Sequence, residues 1–417
     1  MTLEMVLEDL GIQEAAAVFA PYWEESAASV GRSRAVLLEA DTVRRHAEFC
    51  GLTLEDAAHL VHVSQQVEEQ PGLRLLVWHC YKLLFHHLDY DQVNDWPSLE
   101  SVLGESQGVF FLLAALGMVP LVQQKHISLG VDRAVTRATC QQIASFASNY
   151  RRMSGGALGI PTKQLYWLRH YHAGRLFRIG RMEYMLKPFT GHIQVYRHRN
   201  SGRTVALSGD GAAYNAEGYI DGTQEWTAAL LKDDAATSGC PISPYGFALP
   251  GRVRLPLEEW DCVLQPDDWT LDMHIPAGGG METEKCHRSM IEATAFFRRL
   301  CPERPFASIT CNSWIFNNQL QDLRLSSHNL AAFQRELYLY PVSSSGRDGL
   351  WFIFFQDAFN SHQVPRETSL QRAVAEFLDR GHVWRGGGMF FLTDDFDRFG
   401  SQVYRRQAGT IANMAEL

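Results

Sequence analysis

A glycine-rich turn between a predicted strand and a predicted helix constrains the fold of this chain more than any other feature. Residues 269–300 read WTLDMHIPAGGGMETEKCHRSMIEATAFFRRL, and a further apolar segment follows at 306–316. An apolar strand, three glycines, an amphipathic helix and a second strand follow one another. This order predicts a β-α-β unit with free backbone N–H groups and a helix N-terminus at the end of a strand. Such a site can hold a phosphate or pyrophosphate group.

The glycines themselves, 278–280, are candidates for a binding role. Without a Cβ atom they let the backbone approach a ligand closely, and they adopt positive φ at no steric cost. Thr283 is the predicted N-cap of the helix that follows. An ordinary strand-to-helix turn remains the alternative, although three successive glycines exceed what such a turn requires.

The two parts of the chain differ in their hydrophobic periodicity. Up to about residue 155, apolar residues recur at spacings of three and four, and Thr53 followed by Asp56 predicts a capping box. Glycines and a proline at 152–161 mark a junction, after which strand-like alternation prevails. The chain therefore predicts an α+β fold. An all-helical N-terminal domain spans 1–158, and a domain with a mixed, mostly antiparallel sheet flanked by helices spans 159–417.

Two stretches of the second domain carry local predictions. Residues 176–189 read as one long strand with Gly180 as a bulge, and the apolar run GLWFIFFQ, 349–356, reads as a later strand. If that later strand lay at a sheet edge it would need a partner or a cover. The oligomeric state stays open.

Composition and charge limit the classes of function. The net charge of −9 argues against a nucleic-acid-binding protein, which usually presents a basic face. The most apolar run, 109–122, is shorter than the roughly 18 residues of a membrane span, so we expect a buried helix and no membrane insertion.

The termini and the cysteines suggest where the protein works and which sites it lacks. The acidic N-terminus has no apolar core of a signal peptide, and the eight cysteines are scattered without metal-ligand spacing. We expect reduced thiols, no bound metal and a cytoplasmic location.

Several polar residues near the turn are candidates for chemistry. His274 stands in the strand before the glycines, and its pKa range suits a general base, although a buried structural histidine is the alternative. In the next strand, alternation places Cys311 and Ser313 on one face, either bonded to neighbouring backbone or facing a substrate. A cysteine hydrolase that pairs Cys311 with His274 is an open alternative, because the two predicted strands are adjacent.

Six segments of the chain resemble a bacterial family of acyltransferase-domain proteins with a helical N-terminal domain and a GNAT-like C-terminal domain. The most specific part is HIP-x-GG followed more than thirty residues later by Ser-Trp. The segments are LFRIGRMEY (176–184), GCPISPYG (239–246), HIPAGGG (274–280), CHRSMIEATAFF (286–297), CNSWIFNNQLQDL (311–323) and SSHNLAAFQREL (326–337). The resemblance implies a GNAT-type fold, which holds acyl-coenzyme A in the cleft where two neighbouring strands separate.

The resemblance also implies roles for particular residues. Backbone near His274 and Ile275 would bind the acyl carbonyl, and His274 would be the general base. Ser313 or Cys311 would protonate the departing thiolate, and Glu183 on the first strand would be a weaker second candidate for the base. The pyrophosphate would lie on Gly278, Gly279, Gly280 and Met281.

The implied function is an N-acyltransferase that uses acyl-CoA or acetyl-CoA and a small-molecule or peptide amine as acceptor. One departure from the family pattern bears on it. The usual Q/R-x-x-G-x-G/A loop is replaced by A-G-G-G-M-E, so no arginine opens the loop. A catalytically inactive GNAT-like binding module is therefore the second function that the sequence allows.

Overall fold

The computed structural model describes residues 1–323, 328–356, 359–409 and 411. It divides into two compact units, the first made of Met1–Ile179 with Pro276–Gly278 and the second of Gly180–Ile275 with Gly279–Leu417. The junction predicted at residue 158 falls within the first unit. Residues 324–327, which include the start of the sixth resembling segment, lie outside the described residues.

The first unit is helical, as predicted, and each longer helix buries an apolar face. The capping box is confirmed, since the Asp56 N–H donates to Thr53 Oγ1 and the Thr53 N–H donates to Asp56 Oδ2, each at 3.1 Å. The elements are α1 (Leu3–Asp9), α2 (Ala16–Phe19), α3 (Trp23–Ser29), α4 (Ala40–Phe49), α5 (Leu54–Glu69), α6 (Pro71–Phe85), α7 (Glu100–Leu103), α8 (Gln107–Leu116), α9 (Met118–Ser128), α10 (Arg133–Cys140), α11 (Gln142–Met153), α12 (Thr162–Leu165), α13 (Leu168–His172) and a strand, β1 (Leu176–Ile179).

Helix α8 lies at the centre of this unit. All its residues from Gly108 to Leu116 are buried. By length and composition alone, the helical stretch Glu100–Ser128 could cross a membrane, and 67% of its most apolar window is buried inside the protein. Burial of this kind is typical of a core helix.

The second unit combines sheets with five α-helices among its described residues. The strands are β2 (Met182–Pro188), β3 (Ile193–His198), β4 (Thr204–Ser208), β5 (Ala213–Tyr214), β6 (Trp226–Thr227), β7 (Leu230–Lys232), β8 (Ala236–Gly239), β9 (Pro241–Ser243), β10 (Phe247–Ala248), β11 (Val253–Pro256), β12 (Trp260–Leu264), β13 (Trp269–His274), β14 (Ser308–Ser313), β15 (Tyr338–Tyr340) and β16 (Gly387–Leu392). The helices are α14 (Thr283–Leu300), α15 (Gln319–Asp322), α16 (His328–Glu336), α17 (Leu350–Phe354) and α18 (Ser369–Asp379).

The main sheet of this unit confirms the mixed, mostly antiparallel prediction. Its strands run in the order β2-β13-β14-β16-β15. In this sheet of the described chain only β13 and β14 are parallel, and α14 connects them. The predicted β-α-β unit is therefore present. Tyr184 of β2 bonds Ser289 of α14 through their hydroxyls at 2.9 Å, so α14 covers the sheet face to which Tyr184 points.

The long strand predicted across 176–189 is wrong. Strand β1 ends at Ile179 and β2 begins at Met182, with Gly180 between them at φ +60°. Gly180 forms a turn rather than a bulge. A Cβ atom there would also lie 3.1 Å from Ser289 Cβ, so the close approach of α14 requires glycine as well.

The strand predicted for 349–356 and the N-cap predicted at Thr283 are also wrong. Residues Leu350–Phe354 form α17, which buries Leu350, Ile353 and Phe354. The spacing of three and four between these buried residues cannot be recognised in the sequence, because their neighbours in the run are also apolar. Thr283 is the first residue of α14, and Glu282 occupies the cap position without a side-chain bond to the helix.

Candidate active site

Strands β13 and β14 separate at their carboxyl ends. The parallel ladder pairs Leu271 with Ile309 and Asp272 with Thr310. In this described part of the chain the ladder has no further pairs, although β13 continues to His274 and β14 continues to Ser313. Two neighbouring strands that part in this way leave backbone N–H and C=O groups without ladder partners in the gap. A ligand can use these groups.

A row of charged side chains lines one face of β2 and β13 beside this gap. His274 Nε2 lies 2.8 Å from Asp272 Oδ2, and Lys187 Nζ lies 2.8 Å from the same oxygen. Asp272 and His274 are two residues apart, so strand geometry places them on the same face. The side chain of His274 is 23% exposed and that of Asp272 is 7% exposed.

The charge row keeps Asp272 ionised. Burial acts to raise the pKa of this carboxyl, but its hydrogen bond to His274 and the charges of His274 and Lys187 outweigh burial, so the pKa is lowered. A carboxylate fixed against one ring nitrogen orients an imidazole and stabilises the imidazolium that forms when the ring takes a proton.

Glu183 belongs to the same face. It lies directly across from His274 in the antiparallel ladder of β2 and β13, and it is 1% exposed. Directly opposed residues of such a ladder have Cβ atoms roughly 5 Å apart. The structure therefore brings together the two residues that the sequence nominated as bases.

Cys311 and Ser313 are not on this face. The hydroxyl of Thr270 bonds those of Ser308 and Thr310, which puts the even-numbered residues of β14 on the face of His274. Cys311 and Ser313 alternate to the opposite face. Cys311 is buried, and burial raises the pKa of its thiol well above the ordinary value. The structure thus contradicts the pairing of Cys311 with His274 that a cysteine hydrolase requires.

Ser313 has a structural task at the end of β14. Its hydroxyl accepts a hydrogen bond from the Ile315 N–H at 3.3 Å and caps the single turn Trp314–Phe316. It nevertheless lines a cavity at the strand end, together with Asn312 and Trp314.

The glycine turn has the backbone that its sequence predicts. Gly278, Gly279 and Gly280 have φ values of +78°, +72° and +64°. Successive backbone N–H groups in a turn can converge on an anion, so this conformation is compatible with anion binding. The turn follows β13 through Ile275 and leads through Met281 into the N-terminus of α14.

Arg181 supplies a cation to the turn. Its Nε donates to Gly280 O at 2.5 Å, and its Nη2 lies 3.8 Å from Met281 Sδ. No arginine opens the loop in the sequence, but one reaches it from 99 residues away. A Cβ atom on Gly279 would lie 3.3 Å from Arg181 Nε, so glycine allows the guanidinium to approach.

Sequence reasoning missed Asp272, Lys187 and Arg181. Strand alternation alone puts Asp272 on the face of His274, so that signal was available in the sequence. Lys187 and Arg181 act through strand register and a turn contact that span more than eighty residues, and no local pattern points to them. In the part of the chain that the structure describes, no three His, Cys, Asp or Glu side chains are grouped to hold a metal ion.

Family models match both parts of the chain. Residues 176–391, more than half of the chain, match the GNAT-like C-terminal domain. Residues 41–173 match the N-acyltransferase N-terminal domain. No curated protein matches the sequence.

Solved structures share the fold over almost the whole chain. An acyltransferase in complex with decanoyl-CoA and teicoplanin is 18% identical with a TM-score of 0.62, and the match covers 94% of this chain and 99% of that one. An acyltransferase in complex with CoA and 10C-teicoplanin is 18% identical with a TM-score of 0.63 over the same shares of the two chains. A third, in complex with decanoyl-CoA, is 20% identical with a TM-score of 0.57, again over 94% and 99%. At these identities the likeness concerns the fold.

Proposed function

Because the chain belongs to the N-acyltransferase family with a helical N-terminal domain and a GNAT-like C-terminal domain, and is an acyltransferase, we propose that it transfers an acyl group from acyl-CoA to an amine. Acetyl-CoA is included among the donors, and the acceptor is a small molecule or a peptide. The observation that carries the proposal is the separation of β13 and β14 beside the His274–Asp272 pair. Solved structures of this fold hold decanoyl-CoA or CoA, which supports a thioester donor. Family membership favours an enzyme over an inactive binding module.

The glycine turn is the proposed site for the pyrophosphate of the donor. The N–H groups of Gly278, Gly279 and Gly280 and the N-terminus of α14 offer hydrogen-bond donors and positive potential. Arg181 beside Gly280 adds the positive charge that the loop sequence lacks. Met281 completes the turn.

The proposed reaction needs one base and one set of backbone donors. The amine nitrogen attacks the thioester carbonyl carbon while His274 removes its proton, directly or through water. The resulting tetrahedral oxyanion accepts hydrogen bonds from backbone N–H groups near Ile275. The C–S bond then breaks, the acyl group stays on nitrogen, and the proton on His274 passes to the CoA thiolate or to solvent. Asp272 stabilises the imidazolium between these steps.

The CoA thiolate needs little help from a general acid in order to leave. Thiols have pKa values of about 8.5, so a thiolate leaves without a strong proton donor. Ser313 alternates to the face opposite His274, as Cys311 does, but it lines the cavity at the end of β14 and remains the proposed donor. Cys311 is withdrawn because it is buried and does not line that cavity. Glu183 is the second candidate for the base, from its position across from His274.

We also propose a cytoplasmic location. All eight cysteines are free, and six of them are buried, which fits a reducing compartment. Fractionation of cells that express the tagged full chain tests this; secretion of the protein would contradict it.

A thermal-shift titration tests the donor site. CoA, acetyl-CoA and decanoyl-CoA are added to the full chain, and a ligand at about 100 times its Kd should add roughly 2.7 kcal/mol of stability. Gly279→Ala introduces a Cβ atom against Arg181 and should abolish the shift. Gly130→Ala is the matched control, because Gly130 also has positive φ, at +66°, but has open space around it. Equal shifts in the two variants, or no shift with any thioester, would contradict the proposal.

A further inference from the structure

A cavity of about 830 Å³ opens in the second unit where β14 ends. Asn312, Ser313 and Trp314 form the part of its wall that belongs to this strand end. Asp272 is paired with Thr310 in the parallel ladder, so His274 is level with Asn312, two residues further along each strand. The cavity therefore begins at the height of the proposed base.

The cavity is separate from the donor site. None of its described lining residues belongs to the glycine turn or to α14. Its other walls come from the loops that follow β2 and β4, around His192 and Asp210, and from the segment around Asp348. A donor held on the turn and a second molecule held in this cavity would thus reach the strand gap from different elements.

The cavity walls next to the end of β14 are fixed by a hydrogen bond and by close packing. Tyr340 OH donates to Asn312 Oδ1 at 2.9 Å, and burial raises the pKa of Tyr340, so its hydroxyl keeps the proton. Trp314 packs directly on Gly349, where an added Cβ atom would lie 2.0 Å from the indole ring. A cavity whose walls are fixed in this way needs little rearrangement to bind a ligand.

Apart from His192, the charge of the lining has one sign. Two carboxylates, Asp210 and Asp348, face no lysine or arginine among the described lining residues. Both are positioned by the backbone. The Leu230 N–H donates to Asp210 Oδ1 at 3.0 Å, and the Ser345 N–H donates to Asp348 Oδ2 at 2.9 Å.

Aromatic rings complete the lining. Trp314, Tyr214 and Phe352 contribute to the walls, and Phe352 is 51% exposed at the cavity. Aromatic faces beside carboxylates attract organic cations through both ring quadrupole and charge. The volume is in the range of sites that hold drug-sized ligands, which makes it larger than a single amino acid needs.

We propose that this cavity binds the acyl acceptor and selects a positively charged amine carried on an aromatic or apolar body. The inference rests on the proposed acyltransferase function, because it assigns the second substrate of that reaction. The ammonium group is attracted by Asp348 and loses one proton to solvent before attack. His274 takes the second proton as the nitrogen attacks, while the body of the acceptor lies on Trp314 and Phe352.

The test is a fluorescence titration of the full chain with dansylcadaverine, an aromatic primary amine, in the absence of CoA. We expect saturable binding that weakens about tenfold in Asp348→Asn and in Phe352→Ala. N-acetylated dansylcadaverine, which lacks the positive charge, should bind about tenfold more weakly to the wild type. Asp394→Asn is the matched control, since it removes an exposed carboxylate that does not line the cavity, and it should leave the affinity unchanged.

Equal affinities for the amine and its acetylated form, equal affinities of the Asp348→Asn and Asp394→Asn variants, or no binding would each overturn the proposal. The titration contains no thioester, so its outcome is independent of the donor site. If dansylcadaverine binds as expected but no acyl-CoA shifts the melting temperature, the amine site stands and the transferase function fails. If an acyl-CoA shifts the melting temperature but dansylcadaverine does not bind, the transferase function stands and this cavity is not the acceptor site.

Discussion

The two units satisfy buried titratable side chains in different ways. In the helical unit, His79 Nε2 donates to Phe19 O at 3.0 Å, and the Arg169 guanidinium donates to carbonyls that include Leu83 O at 2.7 Å and Leu84 O at 3.1 Å. These carbonyls stand at the ends of α2 and α6, where helices leave them without intrahelical partners. In the second unit, Lys187 and His274 each bond the carboxylate of Asp272.

The difference follows from the backbone. Strands exchange most of their N–H and C=O groups within the ladder, so a polar side chain on a sheet face finds fewer backbone partners than one at a helix end and more often pairs with other side chains. Helix ends supply the backbone acceptors that sheets lack. His79 and Arg169 of the first unit therefore anchor helix ends, whereas the linked side chains Lys187, Asp272 and His274 of the second unit are available for proton transfer.

The largest expected effect is the loss of catalysis when His274 is removed. His274→Ala should lower kcat/KM by about 10²–10⁴ with acyl-CoA and an accepted amine, because it removes the general base. His79→Ala, its counterpart in the helical unit, should lower stability without a comparable loss of activity per folded molecule. Steady-state kinetics on folded protein measure both. An unchanged rate in His274→Ala would remove this residue from the mechanism and leave Glu183 as the base.

The next effect is acid sensitivity of the helical unit. Burial lowers the pKa of His79 and of His126 to about 4. The unfolded chain takes up a proton on each below about pH 6.5 and the folded chain does not, so stability falls as the pH drops from 6.5 towards 4. Each residue costs on the order of 3 kcal/mol at the acid end of this window.

Asp272 also loses its contribution to stability as the pH falls, but in a lower pH window than His79 and His126. Its folded pKa is lowered, so its contribution to stability is present above about pH 4 and is lost only as the pH falls through the lowered value. Hydrogen exchange followed by mass spectrometry between pH 7 and 4 should therefore lose protection first in peptides from α2, α6 and α9. Earlier loss of protection in peptides from β2 and β13 would contradict the expected order. The exposed residue His59 offers a control, since His59→Gln should leave the acid transition in place.

A smaller effect is expected when the interaction between Asp272 and His274 is weakened and the base itself is kept. Asp272→Asn removes the charge that stabilises the His274 imidazolium and should lower kcat about tenfold to a hundredfold with little change in KM. It should also cost about 1.5–3 kcal/mol of stability, the value of a hydrogen bond to a charged group. Asp261→Asn, which breaks the exposed pair with Arg199, is the control and should change neither quantity measurably. A change in KM alone would assign Asp272 to substrate binding.

The smallest expected effect concerns the opposite face of the sheet. Cys311→Ala should leave kcat/KM within about twofold, because the thiol is buried and faces away from His274. Iodoacetamide should modify the exposed Cys262 first and leave activity intact. Inactivation that disappears in Cys311→Ala would restore the cysteine hydrolase as a candidate.

Short-range patterns determined the outline of this protein. The sequence at 269–313 predicts β13, the glycine turn, α14 and β14 in order, because periodicity and glycine content act within a few residues. The same patterns place His274 at the mouth of the site. They fail at 349–356, where Leu350, Ile353 and Phe354 face the core of a helix but every neighbour is also apolar. Without contrast between faces, periodicity carries no information about the type of element.

Tertiary structure decided which residues work together. The parallel register of β13 and β14 puts His274 and Asn312 at one height and turns Cys311 to the other face, which no property of the separate segments fixes. Arg181 reaches Gly280 across 99 residues, and the cavity beside Asn312 is assembled from separate segments that lie between Thr190 and Gly386 along the chain. The sequence determined the elements and the residue that can carry a proton, because these depend on neighbours along the chain. The partners, the charge around them and the space beside them depend on long-range pairing, so only the folded chain supplies them.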